Sequence, residues 1–553
     1  MPSAPPPPGP VPRSPVYAPH GAVATSQPLA AAAGLAVLRR GGTAVDAAVA
    51  TAVALTVLQP TSTDIGADLF AIVWDGSRLH GLNASGRAPA ALTRDAVLAA
   101  TGGRPVPASG AHGGAQATDP YGVLPARGWL PVTVPGAPAG WRDLHARFGA
   151  LPFADLFADA IAYAERGFPV SPRVAAAWAR AAAAYAGLTG PEFAEWARVF
   201  TVDGRRAPRA GQWWRNPDAA RTLRRIADTG AADLYAGDLA ARLDAFARRT
   251  GGLLTAADLA AHAGEWVDPV AVDYRGHRVW ELPPNGQGLA ALIALGILDG
   301  LELSGLPAGE RLHRQIEAVK LGFADAHAYV ADPAHRPVPV DALLDPGYLA
   351  ARRELVGERA GTPPAGEPAR GGTVYLCTAD ADGLMVSLIQ SNYQAFGSFV
   401  VLPGAGFGLQ NRGAGFSLDP AHPNVVAPGK RPFHTIIPGF LTRGGEPVGP
   451  FGVMGGHMQP QGHVQLLCAT LDDGLEPQAA LGVPRWYWHA GREVAVEPEW
   501  AGAAVAPLRR RGHAVRVAGD RELFGAGQAI WRLPGGGYVA GSEPRADGLA
   551  VGW

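Results

Sequence analysis

Gly371-Gly372-Thr373-Val374-Tyr375-Leu376-Cys377-Thr378 marks the point where a Pro/Gly-rich stretch stops and a β-alternating run begins. The residues leading into it, Gly361 to Gly372 (GTPPAGEPARGG), have little to bury and much to bend, so the chain can double back at the Gly372-Thr373 peptide. A threonine opening a strand behind such a leader is where a self-cleaving precursor exposes its nucleophile. Attack of the Thr373 hydroxyl on the Gly372 carbonyl gives an ester that water hydrolyses. The freed α-amino group, with an ordinary pKa of about 7.7–8.0, then serves as base for its own hydroxyl. Taken alone, the same residues also fit a β-branched strand start after a linker, and the rest of the chain decides between the two.

With 553 residues, 48% of them hydrophobic, the chain has enough apolar surface for one large core or two to four smaller domains. A net charge of −1 provides no field to attract nucleic acid or an anionic membrane. Lysine occurs only at Lys320 and Lys430, a skew toward Arg and Ala that reflects the base composition of the source genome more than function. Cys377 and Cys468 stand in apolar surroundings with no CxxC or Cys/His grouping, so neither a disulfide framework nor a zinc site is expected, and no cofactor is implied. His457 and His463 have no zinc-like spacing, and Gly404-Ala405-Gly406-Phe407-Gly408 has no helix signal after it to make a nucleotide loop. The amino terminus MPSAPPPPGPVPRSP lacks the continuous apolar stretch of an export signal, and residues 1–20 read as a disordered leader. The run Ala44 to Leu58 is too short to span a bilayer and carries Asp46. A cytoplasmic location is the expectation.

Ser26-Gln27-Pro28 opens a helix from Leu29 to Arg40 that Gly41-Gly42 ends, and Thr43 or Asp46 starts a second helix through Leu58. Leu69 to Trp74 and Arg78 to Asn83 flank the Asp75-Gly76 turn as a hairpin. Trp141 to about Arg249 is mostly helical in pattern, and Ile316, Val319, Lys320 and Phe323 make a further amphipathic face. Val374 to Ala379 and Leu384 to Ser391 form a second hairpin around Asp380-Ala381-Asp382-Gly383. Helices thus dominate the first two thirds and strands the last third, an arrangement that helices packed on two stacked antiparallel sheets accommodate.

Several separated segments, in order, carry a resemblance. They are Arg40-Gly41-Gly42-Thr43-Ala44-Val45-Asp46-Ala47-Ala48, Val134-Pro135-Gly136 with Gly140-Trp141, and Asn216-Pro217-Asp218 leading to Gly230. Further on come Pro283-Pro284-Asn285-Gly286-Gln287-Gly288, Glu317-Ala318-Val319-Lys320 with Phe323-Ala324-Asp325, Lys430-Arg431-Pro432 and Gly455-Gly456. From about Gly21 to about Val494 the chain resembles the γ-glutamyltranspeptidase family of N-terminal nucleophile hydrolases. The resemblance implies the four-layer αββα fold, two stacked antiparallel sheets flanked by helices. It implies cleavage between Gly372 and Thr373 into a large segment, 21–372 within 1–372, and a small one, 373–553, that share one core. It also makes Thr373 the nucleophile, Ser391 the hydroxyl that orients its amine, and Gly455-Gly456 the oxyanion-binding pair, where donors must approach closely with no side chain in the way.

The substrate pocket departs from the glutathione-cleaving members. Their carboxylate-binding arginine falls on Ser85, their serine pair on His434-Thr435, their amine-binding aspartate on Gly415, and an asparagine near the nucleophile on Tyr393, next to Asn392. Losing one partner of a buried ion pair costs roughly 3–5 kcal/mol, so unmodified γ-glutamyl specificity is expected to be hard to maintain. In its place stand Arg87, Tyr393, Asn411, Arg412, His434, Thr435 and His457, rich in donors for carboxylate and carbonyl oxygens. The pattern resembles the acylase and amidohydrolase side of the family, acting on a small-molecule amide that bears a carboxylate. Two other readings stay open: a glutathione hydrolase or γ-glutamyltransferase with a rearranged pocket, and a catalytically silent binding paralogue.

Overall fold

Successive side chains of a strand point to opposite faces, and the strand Gly372–Ala379 uses both. Val374 and Leu376 join a core with the helices Pro28–Arg39 and Ala44–Leu58, while Tyr375 and Cys377 enter a second core shared with another sheet. The computed structural model describes residues 13–102, 124–362 and 372–553. Most of the leader before Thr373, residues 363–371, and the amino-terminal residues 1–12 lie outside these.

The sheet containing Thr373 has the strand order Leu549–Gly552, Ala22–Thr25, Gly372–Ala379, Met385–Tyr393, Asp68–Trp74, Leu79–Ala84, Glu265–Val267, all antiparallel. The facing sheet runs Val16–Ala18, Tyr538–Ser542, Ala526–Arg532, Glu446–Met454, Gly439–Arg443, His277–Glu281, Val270–Tyr274, again antiparallel throughout. Phe70, Ile72, Tyr375 and Ile389 of the first sheet meet Phe440, Ile530 and Ala540 of the second. The approach is close enough that a Cβ on Gly452 would come within 2.5 Å of the Tyr375 ring. On its outer face the second sheet packs Leu441, Phe451 and Val453 against the helices Gly288–Asp299, Ala308–Tyr329 and Met458–Leu467. The architecture is αββα.

Local chemistry sets the element ends. Gln27 caps the first helix by accepting from Ala30 N–H (3.0 Å), and Thr43 with Asp46 forms a reciprocal capping box at the start of the second. All fifteen residues of Ala44–Leu58 are buried, as a helix clamped between a sheet and an outer helix requires.

One expectation is corrected. The leader does not extend to residue 20: Val16–Ala18 is a strand at the edge of the second sheet, paired with Tyr538–Ala540, because its backbone N–H and C=O groups find an open edge there. Strands do concentrate after Thr373 as expected, and both sheets interleave them with strands from before it. Short strands such as Ala22–Thr25 carry too few residues to display a period of two. Among the described residues no helix is long and apolar enough to cross a membrane.

This interleaving has a measurable consequence. In a fragment of residues 373–553 alone, the strand from 372 would lose its neighbour Ala22–Thr25 and the strand Met385–Tyr393 would lose Asp68–Trp74. Unpaired edges with buried faces do not persist in water, so the separately expressed fragment is expected to be insoluble or unfolded. A monodisperse fragment with native circular dichroism would contradict this.

Candidate active site

Thr373 stands at a bulge. Gly372 pairs with Tyr393 and Val374 with Gln390, so Thr373 alone faces Ser391-Asn392 on the neighbouring strand. Bulges re-aim side chains at the ends of sheets. On the next strand Ser391 pairs with Asp68. Thr373, Ser391 and Asp68 therefore form one row across three adjacent strands, in the same alternation that sends Tyr375, Ile389 and Phe70 between the sheets. The apolar layer between the sheets ends in a polar rim.

Within that rim the Thr373 and Ser391 hydroxyls are 3.2 Å apart. Ser391 Oγ also accepts from Tyr393 N–H (2.8 Å) and from Arg412 Nη2 (3.3 Å). Arg412 Nη1 donates to Thr435 Oγ1 (2.7 Å), and the guanidinium lies 4.2 Å from the centre of the Tyr393 ring, a cation–π contact. Tyr393 holds a left-handed φ of 75°, strained for a side chain of its size. Arg412 is fully buried, and its Nε has no acceptor among the described residues. Burial lowers its pKa to about 10, against the attraction of Tyr393 and Asp68, so it stays protonated at neutral pH.

His434 is also buried, and burial together with Arg412 and Arg431 holds its pKa well below the ordinary imidazole value. Its Nδ1 accepts from Ile436 N–H (3.3 Å), which leaves Nε2–H to donate to Asp68 Oδ2 (3.1 Å). Asp68 Oδ1 accepts from Gly86 N–H (2.8 Å). Burial raises the Asp68 carboxyl to about 7, opposed chiefly by Arg412 and the Gly86 N–H.

The glycine pair follows the strand Glu446–Met454 of the facing sheet, with φ of 131° at Gly455 and 64° at Gly456, conformations that side chains resist. Their carbonyls accept from Met458 and Gln459 N–H (3.1 Å each) at the start of the helix Met458–Leu467. Their own N–H groups find no acceptor among the described residues. Thr373 and Gly455 line one cavity of about 150 Å³, together with Gln59, Thr61, Arg173 and Asp547.

The structure thus brings together Thr373, Ser391, Tyr393, Arg412, His434 and Thr435, and places Thr373 and Gly455 on one cavity. Other expected residues lie elsewhere. Arg87 does not join the group: it pairs with Asp332 (3.0 Å) and the Gly429 carbonyl (3.2 Å), a carboxylate being the stronger attraction. Asn411 is a loop pin, donating to Ala126 O (2.8 Å) and accepting from Gln394 N–H (3.1 Å). His457 is packed among Phe323, His327 and Phe433, with Nδ1 unpartnered among the described residues. Gly361, at the head of the leader, is anchored: Glu317 Oε2 accepts from its N–H (2.9 Å) and Lys320 Nζ donates to its carbonyl (3.0 Å). Beside this clamp His313, Glu317 and His513 bring ligand-type atoms within 4.8 Å of one another, but Glu317 Oε1 is already held by Lys320 Nζ at 2.7 Å.

Sequence reasoning missed Asp68. The resemblance places the family's aspartate on Gly415, in the turn Arg412–Gly415, yet the pocket holds a carboxylate, Asp68, at the start of the strand Asp68–Trp74. The available signal was a lone acid opening the otherwise apolar run Leu69-Phe70-Ala71-Ile72-Val73-Trp74, since a buried carboxylate needs a partner. Gln287 was also missed, although Asn285 and Gln287 are the polar residues of a Pro/Gly loop and both are fully buried.

An αββα sandwich with a threonine at the start of a central strand and a glycine pair at the end of the facing sheet defines an N-terminal nucleophile hydrolase. The chain belongs to the gamma-glutamyltranspeptidase family, whose model matches residues 30–553. It is 36% identical to a glutathione hydrolase-like proenzyme of Bacillus subtilis, over 95% of this chain and 97% of that protein. It is likewise 36% identical to the oxamate amidohydrolase proenzyme of Klebsiella pneumoniae, over 97% and 98% of the two. Among solved structures, a cephalosporin acylase from Bacillus halodurans superposes with a TM-score of 0.91 at 50% identity, over 100% of this chain and 99% of that one. The chain is an amide-bond hydrolase of this family.

Proposed function

We propose that Thr373 is the nucleophile of a self-processing amidohydrolase acting on short amides that carry a carboxylate. One observation carries the reading: a single hydroxyl, Ser391, links the Thr373 hydroxyl (3.2 Å) to a buried guanidinium with no direct carboxylate partner among the described residues (3.3 Å). In maturation, Thr373 Oγ adds to the Gly372 carbonyl, the C–N bond breaks as the nitrogen takes up a proton, and water hydrolyses the ester to free residues 1–372 from 373–553. In turnover, the new α-amine removes the Thr373 proton as Oγ attacks the substrate carbonyl. The oxyanion is held by the N–H groups of Gly455 and Gly456, and the amine passes its proton to the leaving nitrogen. Water then releases the acyl group as a carboxylic acid.

Arg412 holds the substrate carboxylate bidentately. Because two hydrogen-bond lengths separate it from the nucleophile, the carboxylate and the scissile carbonyl are separated by few atoms. An oxamate-like or succinamate-like acid fits this spacing better than a glutaryl chain, in keeping with the named activity of the Klebsiella relative. Asp68 is the observation that favours the other reading, γ-glutamyl hydrolysis, since a carboxylate attracts a substrate ammonium. Its oxygens are already engaged by Gly86 N–H and His434, which leaves the des-amino acid as the better ligand. Steady-state comparison of oxamate, succinamate, a glutaryl amide and glutathione tests this: the order of kcat/KM should fall along that series.

Asp68 also makes binding depend on pH. With a pKa raised to about 7 it is protonated below neutrality and anionic above, and its negative charge beside Arg412 opposes an anionic substrate. KM for a carboxylate-bearing amide should therefore rise by roughly three- to tenfold from pH 6 to pH 8, the scale of a coupling near 1 kcal/mol. Asp68→Asn should flatten the profile, and an unchanged slope in that variant would assign the titration to another group.

A further inference from the structure

The loop Pro283-Pro284-Asn285-Gly286-Gln287-Gly288 has no part in the chemistry above, yet it is knitted into it. His434 N–H donates to Asn285 O and Gln287 N–H to His434 O, 2.9 Å each, so the loop runs alongside residues 432–435 like a short strand pair. Asn285 Nδ2 donates to Pro432 O at 2.8 Å. The Gln287 side chain goes further: its Nε2 donates to Thr435 O at 2.6 Å and to Gly456 O at 2.9 Å. Both amide protons are used, one on the segment that holds Arg412 through Thr435 Oγ1 and one on the glycine pair. The group is fully buried and its Oε1 has no donor among the described residues.

A glycine pair has no side chains with which to hold itself. With left-handed φ accessible at little cost, its peptide planes can rotate, and an oxyanion site depends on their staying put. Gly456 O is fixed from within by Gln459 N–H and from outside by Gln287. We propose that Gln287 is a positioning residue: by fixing the Gly456–His457 peptide through Gly456 O it anchors the carboxyl side of Gly456, limits rotation of the adjoining Gly455–Gly456 peptide whose N–H faces the reacting carbonyl, and couples that orientation to the Thr435–Arg412 arm. The inference rests on the reading of Thr373 and the glycine pair given above.

The test uses the full-length, processed enzyme with a short carboxylate-bearing amide. Gln287→Met keeps the side-chain length and removes both donors; kcat should fall about 100-fold, the effect of losing one oxyanion donor, with KM changed less than about threefold because Arg412 is untouched. Gln287→Glu places an acceptor against two carbonyls and should be similarly impaired at pH 8. When protonated it regains one O–H donor, so its kcat relative to the parent should climb as pH falls toward 5, a recovery that a merely structural role would not produce. A folded, processed Gln287→Met with parental kcat, or with its loss in KM instead, overturns the inference. Should that variant fail to fold or process, a pH-independent ratio for Gln287→Glu overturns it instead. Activity surviving in Thr373→Ala would remove the reading of the site itself, whereas a dead Thr373→Ala alongside fully active Gln287 variants would remove only this inference.

Discussion

Thr373→Ala is expected to leave a single uncut chain of 553 residues with amide hydrolysis reduced on the order of 10⁴-fold or more, the scale on which nucleophile removal acts. The substitution deletes the atom that attacks Gly372 in maturation and the substrate in turnover, so one change removes two reactions. It should do little else. Among the described residues the Thr373 side chain makes one hydrogen bond, its hydroxyl to Ser391 at 3.2 Å, and a single hydrogen bond contributes about 0.5–1.5 kcal/mol. The strand from Gly372 keeps its ladder with Met385–Tyr393 and Ala22–Thr25. Intact-mass measurement and thermal melting separate the cases: one mass with a near-parental Tm is the expected pair. Thr373→Ser, which keeps the oxygen, should still divide and should lose mainly kcat. A cut between residues 372 and 373 in the alanine variant would refute the scheme.

Arg412→Ala is expected to raise KM for a short carboxylate-bearing amide by about 10- to 100-fold while kcat changes far less. A charge-assisted hydrogen bond to a buried cation contributes about 1.5–3 kcal/mol, and the contact is the same in ground and transition states, which places its loss in KM. The parent enzyme should prefer oxamate or succinamate to glutathione by at least about 100-fold in kcat/KM. In the variant that preference should collapse, because the carboxylate is what Arg412 reads. An amide without a carboxylate serves as control, and its KM should not move. Equal or better turnover of glutathione by the parent would restore γ-glutamyl hydrolysis as the first reading, with Asp68 as the group that meets the ammonium.

Much of the fold was legible in the residues because its signals are local. The helix start at Thr43 or Asp46, the hairpin around Asp75-Gly76 and the period-two run after Thr373 each lie within a few residues, where turn chemistry and alternation act. The helices Pro28–Arg39 and Ala44–Leu58 fall within a residue or so of the expected bounds. Short strands escaped: Val16–Ala18, read as part of a disordered leader, is ordered only by an edge more than five hundred residues away along the chain.

The site divides along the same line. From sequence came a threonine opening a strand, read from its near neighbours, and, through the family resemblance, a hydroxyl at Ser391 and the glycine pair Gly455-Gly456. Which charges would meet in the pocket was settled by tertiary structure. His434 finds Asp68 across 366 residues, and Gln287 reaches Gly456 across 169. Arg87, which by composition suited the pocket, is taken by Asp332 at a separation of 245. Propensity and periodicity act between residues close in the chain, whereas burial and charge pairing act between residues close in space. Only the folding of two sheets onto each other decides which buried carboxylate faces which buried guanidinium.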